Sequence, residues 1–115
     1  MFVIAAPGQG SQKPGFLAPW LESSSHRADL ERWSEIIGSD LIAHGTTSDQ
    51  ETITDTAIAQ PLIVASGIIV GRALLEALPA STNVAFAGHS VGEFTAAALA
   101  GVLSDDDAIS LVALR

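Results

Sequence analysis

The stretch Gly88-His89-Ser90-Val91-Gly92 decides how this chain folds, because it places a serine between two glycines directly after Asn83–Ala87, an apolar run that predicts a buried strand. A strand that turns sharply into a helix holds its serine in a constrained backbone conformation, and only residues without a Cβ fit the close approaches on either side. The segment Val91–Gly101 is rich in alanine and contains no proline, so it predicts a helix that starts at Ser90 and points its free N–H groups towards the serine oxygen. This pattern is typical of a nucleophile elbow.

The G-x-S-x-G pattern has low specificity by itself, and its context gives it weight. The plain structural alternative is a glycine-lined turn in which Ser90 only caps a helix. A second loop, Pro7–Gly15, follows the apolar strand Phe2–Ala6 and contains too much glycine and proline for a regular element. Ligands of open α/β sheets bind at the carboxyl ends of the strands, so this loop is either a wall of a site or a connecting turn. It has neither the lysine of a phosphate loop nor the third glycine of a dinucleotide fingerprint.

The order of the remaining elements predicts an α/β fold. Helical sequence separates the two strands, which implies parallel pairing through a crossover. A parallel sheet needs more than two strands and cover on both faces, so we expect residues 1–115 to be the N-terminal part of a longer protein. The predicted helical segments are His26–Ile37, short turns at Leu41–Ala43 and Glu51–Ile53, Ala57–Leu78 with Pro61 in its first turn and its regular part starting near Gln60, and a last helix capped by Ser104.

Composition excludes several classes of partner. Thirteen acidic residues against five basic ones give a net charge of −8, which repels nucleic acid and anionic lipid. The absence of cysteine excludes disulfides, thiolate catalysis and cysteine-based zinc sites, and we expect no metal. Residues Met1–Ala6 lack the basic region and the length of a signal peptide. Polar residues interrupt the apolar region Ile58–Leu78, which therefore predicts a buried helix rather than a membrane span. We expect a cytoplasmic protein.

A nucleophilic serine needs a base that takes its proton and an oxyanion hole that stabilises the attacked carbonyl. Two backbone N–H groups are candidates for the hole: that of Val91, directly after the serine, and one near Gln9 in the loop after the first strand. His89 adjoins the serine, but neighbouring side chains diverge at a tight elbow, so we expect it to pack behind the elbow. His26 and His44 lie in polar sequence and favour solvent exposure over catalysis.

Arg115 is the only basic residue after Ser90, and two interpretations of it stay open. It is either a solvated side chain at a helix end, favoured by the helix dipole, or a bidentate clamp on a substrate carboxylate.

Four motifs in order resemble a known family. They are Gly8-Gln9-Gly10-Ser11-Gln12 after the first strand, Ala59-Gln60-Pro61 at the head of a long helix, Gly88-His89-Ser90-Val91-Gly92-Glu93, and an arginine 25 residues after the serine. Together they resemble the malonyl-CoA:acyl carrier protein transacylase family of acyltransferase domains, over essentially the whole chain. The resemblance implies a partial α/β-hydrolase-like parallel sheet with flanking helices. Residues 1–115 would then be the N-terminal part of the large acyltransferase subdomain, with the small ferredoxin-like subdomain missing.

The resemblance also implies a reaction. Ser90 would accept malonyl from malonyl-CoA as an ester and pass it to the phosphopantetheine thiol of acyl carrier protein in fatty acid biosynthesis, without a cofactor. The backbone N–H groups of Gln9 and Val91 would form the oxyanion hole, and Arg115 would pair with the malonyl carboxylate. Gln60 and His89 match positions near the pocket. The family's catalytic histidine lies beyond residue 115, so the chain alone is expected to be inactive.

Two other function classes stay open. A serine esterase or thioesterase of α/β-hydrolase type would use water as the acceptor and would need no arginine at the acyl site. A non-catalytic module that binds acyl-CoA or carrier protein would need no histidine.

Overall fold

A two-stranded parallel sheet organises the structure, a computed structural model that describes all 115 residues. Strand β1 spans Phe2–Ala6 and strand β2 spans Val84–Gly88, and Ala6 lies opposite Gly88 in the register. The predicted α/β fold with parallel pairing is confirmed. Because the carboxyl ends of the two strands are level, the loops that follow them leave from the same edge of the sheet.

Six helices flank this sheet, and most begin where a polar side chain caps the first turn. The side chains of Asp40, Asp49, Asp55 and Ser104 each accept a hydrogen bond from a backbone N–H one turn into the helix that follows. All of the predicted helices are present with shifted bounds, and a 3-10 turn at Ala18–Glu22 was not predicted. The helices are α1 Ser24–Ile37, α2 Leu41–Thr46, α3 Gln50–Thr54, α4 Thr56–Ala77, α5 Gly92–Leu99 and α6 Asp105–Leu114.

Helix α4 is the central element of the core. It starts at Thr56 because the Asp55 carboxylate accepts the N–H of Ala57 at 2.9 Å, so the prediction of a regular start near Gln60 is wrong by one turn. Pro61 consequently lies inside the helix rather than in its first turn. The helix is long and apolar enough to cross a membrane by length and composition, but half of its most apolar window is buried within the fold. A core helix of a globular domain has the same properties, as the sequence predicted.

A polar cluster joins helices α1 and α6. The buried Trp33 donates its indole N–H to Asp106 Oδ1 at 2.9 Å, and Arg32 donates to the same oxygen at 3.1 Å. The hydrogen bond from Arg32, together with that from Trp33, lowers the pKa of Asp106 below its usual range, and the same bond raises the pKa of Arg32. The carboxylate thus satisfies the one polar atom of an otherwise apolar indole.

Helix α5 approaches the ends of both strands at backbone contact. A Cβ built on Gly92 would collide with the carbonyl group of Ala6 at the end of β1, and a Cβ on Gly88 would collide with the backbone of Gly92. Backbone atoms cannot move aside without shifting a strand or a helix. The two glycines predicted to flank the serine are therefore required by the packing of α5 on the sheet.

We expect Gly92→Ala to lower the free energy of unfolding by about 3 kcal/mol, because the added methyl group meets main chain that cannot rotate away. Gly71→Ala is a matched control within α4, where the added Cβ meets the outer carbons of the Leu99 side chain, which borders a cavity. That side chain can rotate and alanine favours the helix, so the control should stay within about 1 kcal/mol of the wild type. Urea unfolding checks both values, and equal midpoints for the two variants would contradict the backbone contact.

Replacing Asp106 by asparagine should lower stability at pH 7 by about 1 kcal/mol, a small effect because the ion pair is partly exposed. A carboxylate whose pKa is depressed on folding contributes stability above its unfolded pKa of about 3.9, and this contribution disappears as the pH falls through the lower folded pKa. The difference between wild type and Asp106→Asn should therefore shrink below about pH 4 in thermal unfolding. Asp107→Asn is the control, since its side chain makes no ion pair or hydrogen bond. A pH-independent difference would overturn the assignment.

Candidate active site

Ser90 occupies a backbone conformation that no other non-glycine residue of the chain adopts, with φ at +55°. Such a left-handed conformation costs about 1 kcal/mol or more for a residue with a Cβ. Three hydrogen bonds hold the turn: His89 N–H to the Ala6 carbonyl at 3.1 Å, Gly92 N–H to the His89 carbonyl at 2.9 Å, and Glu93 N–H to the Ser90 carbonyl at 3.1 Å. Because a right-handed helix cannot include this φ, α5 begins at Gly92 and not at Ser90 as predicted. The serine side chain lies exposed at the edge of the sheet.

Two backbone donors without an acceptor flank this serine. The N–H of Val91 makes no hydrogen bond within the chain, although the Val91 side chain is buried, and the N–H of Gln9 makes none either. The Gln9 loop is close to the elbow, because a Cβ built on Gly8 would lie 3.4 Å from the Cβ of Ser90. The structure thus brings Ser90, Val91 and the Gly8–Gln9 backbone to one place. Preorganised N–H groups of this kind can stabilise developing negative charge on an oxygen.

The loop after β1 is anchored to helices α3 and α4 by two glutamine side chains. Gln12 is buried, donates from Nε2 to the carbonyl of Ile53 at 3.0 Å, and accepts the N–H of Gly10 at 2.9 Å. Gln9 donates from Nε2 to Thr56 Oγ1 at 3.3 Å. Sequence reasoning gave Gln12 no role in the site, although it ends the motif Gly8-Gln9-Gly10-Ser11-Gln12 that carries the resemblance.

A separate polar cavity holds the other two predicted residues. Gln60 and Arg115 both line a cavity of about 380 Å³ between the start of α4 and the end of α6. Arg115 is the only basic residue in its wall, and its backbone N–H bonds to the carbonyl of Val112 at 3.2 Å. Thr56 lines the same cavity and accepts the hydrogen bond from the Gln9 side chain. The cavity therefore borders the loop beside Ser90, although Ser90 does not line it.

None of the three histidines hydrogen-bonds to Ser90. His26 pairs through Nδ1 with the carbonyl of Trp20 at 3.0 Å, and His44 pairs through Nδ1 with Ser48 Oγ at 3.0 Å. Both are half-buried rather than exposed. The prediction that His89 packs behind the elbow is wrong, because His89 is exposed and its ring lies beside Gly8. The tight turn directs its side chain outwards, alongside the neighbouring loop.

A second cavity, also of about 380 Å³, lies along β1 and is lined by residues of helices α4 and α5. Its walls are mainly apolar, and none of the predicted site residues lines it. No three His, Cys, Asp or Glu side chains converge anywhere in the chain to form a cluster that could hold a metal ion.

Several curated proteins similar to this chain carry the same name. The malonyl CoA-acyl carrier protein transacylase of Mycobacterium tuberculosis is 47% identical over 116 residues, which cover 100% of this chain and 38% of the relative. The protein of the same name from Haemophilus influenzae is 35% identical, with 99% of this chain and 37% of the relative covered. The chain thus spans somewhat more than a third of the length of these relatives. No family model matches it.

Solved structures with the same kind of name superpose closely on this chain. The crystal structure of MCAT from Mycobacterium tuberculosis superposes with a TM-score of 0.92 at 46% identity, covering 98% of this chain and 38% of that chain. A malonyl-transacylase solved in complex with its type II PKS acyl-carrier protein superposes with a TM-score of 0.86 at 33% identity, covering 99% of this chain and 37% of that one. In sequence and in fold, the chain is therefore similar to somewhat more than a third of the malonyl CoA-acyl carrier protein transacylases named above.

Proposed function

We propose that Ser90 is the nucleophile of a malonyl transferase, and that the whole protein moves malonyl from malonyl-CoA to the phosphopantetheine thiol of acyl carrier protein. The observation that carries this proposal is the left-handed Ser90, exposed between two backbone N–H groups that have no acceptor in the chain. The names of the relatives, which mention malonyl and an acyl carrier protein, support this choice of acyl group and acceptor. Malonyl transfer of this kind feeds fatty acid biosynthesis.

The elbow supports the following chemistry in that proposal. Ser90 Oγ forms a bond to the thioester carbonyl carbon, its proton leaves to a base, and the carbonyl oxygen becomes an oxyanion. The N–H groups of Gln9 and Val91 stabilise that oxyanion, and the carbon–sulfur bond then breaks as the proton passes to the sulfur of coenzyme A. The second half-reaction runs the same steps in reverse, with the phosphopantetheine thiol as the attacking group. No cofactor takes part.

The polar cavity supports the choice of acyl group. A malonyl unit differs from acetyl by a carboxylate, and Arg115 offers the only positive charge in the cavity next to the Gln9 loop. The Asp55 carboxylate in the same wall is already occupied as the cap of α4. We assign the malonyl carboxylate to Arg115, where a guanidinium can bind both oxygens. Gln60 adds an amide to the same wall, and His89 stands outside on the elbow surface.

The base in this proposal is a histidine outside residues 1–115, because none of the histidines of the chain reaches Ser90. Residues 1–115 then form the N-terminal part of the large acyltransferase subdomain and have no transfer activity alone. The cysteine-free, acidic composition suits the cytoplasm, which is the compartment we propose, and does not favour nucleic acid or membranes as partners.

We expect full-length protein incubated with radiolabelled malonyl-CoA to carry one label per chain, and Ser90→Ala to carry none. Ser81→Ala, at an exposed serine before β2, should keep the full label. Stoichiometry of acid-precipitated protein and peptide mapping measure the result. Label retained by Ser90→Ala would refute the nucleophile, whereas rapid release of malonate without carrier protein would identify an esterase.

Replacing Arg115 by alanine should lower kcat/KM for malonyl-CoA by a factor that corresponds to about 2 to 5 kcal/mol of lost transition-state stabilisation. The value of kcat/KM for acetyl-CoA should change much less. The effect is selective because only the malonyl group has a carboxylate that loses its partner when the arginine is removed. Arg27→Ala, at an exposed arginine without an ion-pair partner, is the control and should leave both rates unchanged. Steady-state transfer to carrier protein with each thioester provides the comparison, and an equal loss for both substrates would exclude the clamp.

A further inference from the structure

We infer that Gln12 is a positioning residue for the oxyanion hole, an inference that rests on the proposed function. Its side chain lies in the loop after β1 and is 6% exposed. Through its two ends the amide connects the backbone of the loop to the backbone of helix α3. It does not touch the elbow and would act through the N–H of Gln9.

The first step is the geometry of the loop at Ser90. Gly8 lies against the elbow so closely that a Cβ on it would sit 2.9 Å from the His89 carbonyl oxygen. Gln9 follows directly, with a backbone N–H that no atom of the chain accepts. Gly10 then turns the chain with φ at +118°, a conformation that L side chains rarely adopt. Gln9 therefore lies between a tight contact and a sharp turn, and its N–H direction depends on how both ends are held.

The second step is what holds the far end. Gln12 Oε1 accepts the N–H of Gly10 at 2.9 Å, and Gln12 Nε2 donates to the carbonyl of Ile53 at 3.0 Å. Ile53 is fully buried in the core on α3. The amide thus ties the residue after Gln9 to a fixed point of the core. The exposed Gln9 side chain makes two longer contacts from Nε2, 3.3 Å to Thr56 Oγ1 and 3.5 Å to the Thr54 carbonyl, and is the weaker of the two anchors.

The third step is the chemical need for such an anchor. A hydrogen bond to an oxyanion is useful only when its donor is already in place in the transition state, and one such donor is worth about 10² to 10³ in rate. A shift of about 1 Å in a positioning element can cost about 10²-fold. Gln12 uses both a donor and an acceptor, which is why an amide suits this position and an apolar residue of the same size does not.

The test compares Gln12→Met with Gln50→Met in the full-length protein. Gln50 is an exposed glutamine on α3 whose side chain bonds only within its own helix, so its variant should match the wild type. For Gln12→Met we expect the single-turnover rate of Ser90 malonylation to fall about 10- to 100-fold. The dissociation constant of malonyl-CoA, measured in the Ser90→Ala background, should change less than about twofold, since ground-state binding does not use the oxyanion hole. A rate within about twofold of the wild type, or a loss confined to binding, would overturn the inference.

If Gln12→Met fails to fold, Gln12→Glu provides an alternative test. A protonated carboxyl has the donor and the acceptor of the amide, whereas a carboxylate keeps only acceptors, and burial raises the pKa of such a group. The rate of Gln12→Glu relative to wild type should therefore rise as the pH falls from about 8 to about 5.5. A constant ratio would overturn the inference. If the wild type itself leaves Ser90 unlabelled, the proposed function fails and the inference fails with it; a labelled wild type with an unaffected Gln12→Met variant overturns the inference alone.

Discussion

The backbone contact between the start of α5 and the end of β1 is the constraint on which the rest of this structure depends. Gly92 can rest on the Ala6 carbonyl only because it has no Cβ, and Gly88 is required in the same way from the other side. Because both elements are this close, the three residues between strand and helix must reverse the direction of the chain in little space. Ser90 makes this reversal possible by adopting a left-handed φ, which is an unfavourable backbone conformation for a residue with a Cβ. The exposure of its hydroxyl is a consequence of how the helix packs on the sheet.

The helices behind the sheet keep that contact in place. Arg72 of α4 donates to the carbonyl of Ala98 at 3.0 Å and to Asp105 Oδ1 at 2.6 Å, which joins the end of α5 to the start of α6. The Trp33–Asp106 bond fixes α6 to α1. Each bond satisfies a group at a helix end, where backbone or side-chain polar atoms would otherwise lack partners. The core therefore fixes both ends of α5, and the elbow directly before its first turn is held in place as a result.

The sequence predicted the elements with strong local signals and missed those that depend on contacts between distant residues. The glycines around Ser90, the Ser104 cap and the parallel sheet follow from short-range rules on backbone freedom, capping and connectivity. The start of α4 was missed because the Asp55 cap outweighs the tendency of Pro61 to sit in a first turn. Gln12 was missed because its partner, Ile53, is 41 positions away. No local pattern distinguishes an anchoring amide from a solvated one.

Two separate parts of the fold contribute to the candidate site, the elbow around Ser90 and the cavity beside Gln60 and Arg115. Around Ser90 the chain offers a strained serine and two unpaired backbone donors, all fixed by packing before any substrate arrives. In the proposed function, the cavity with Gln60 and Arg115 binds the carboxylate of the acyl group. The hydrogen bond from the Gln9 side chain to Thr56 links the two parts. Because the Gln9 side chain bonds to Thr56 in the wall of this cavity, a movement of that wall would also move the loop that carries one donor of the proposed oxyanion hole. The proposed function therefore implies that selectivity for the acyl group and stabilisation of the transition state are coupled through one short segment of chain.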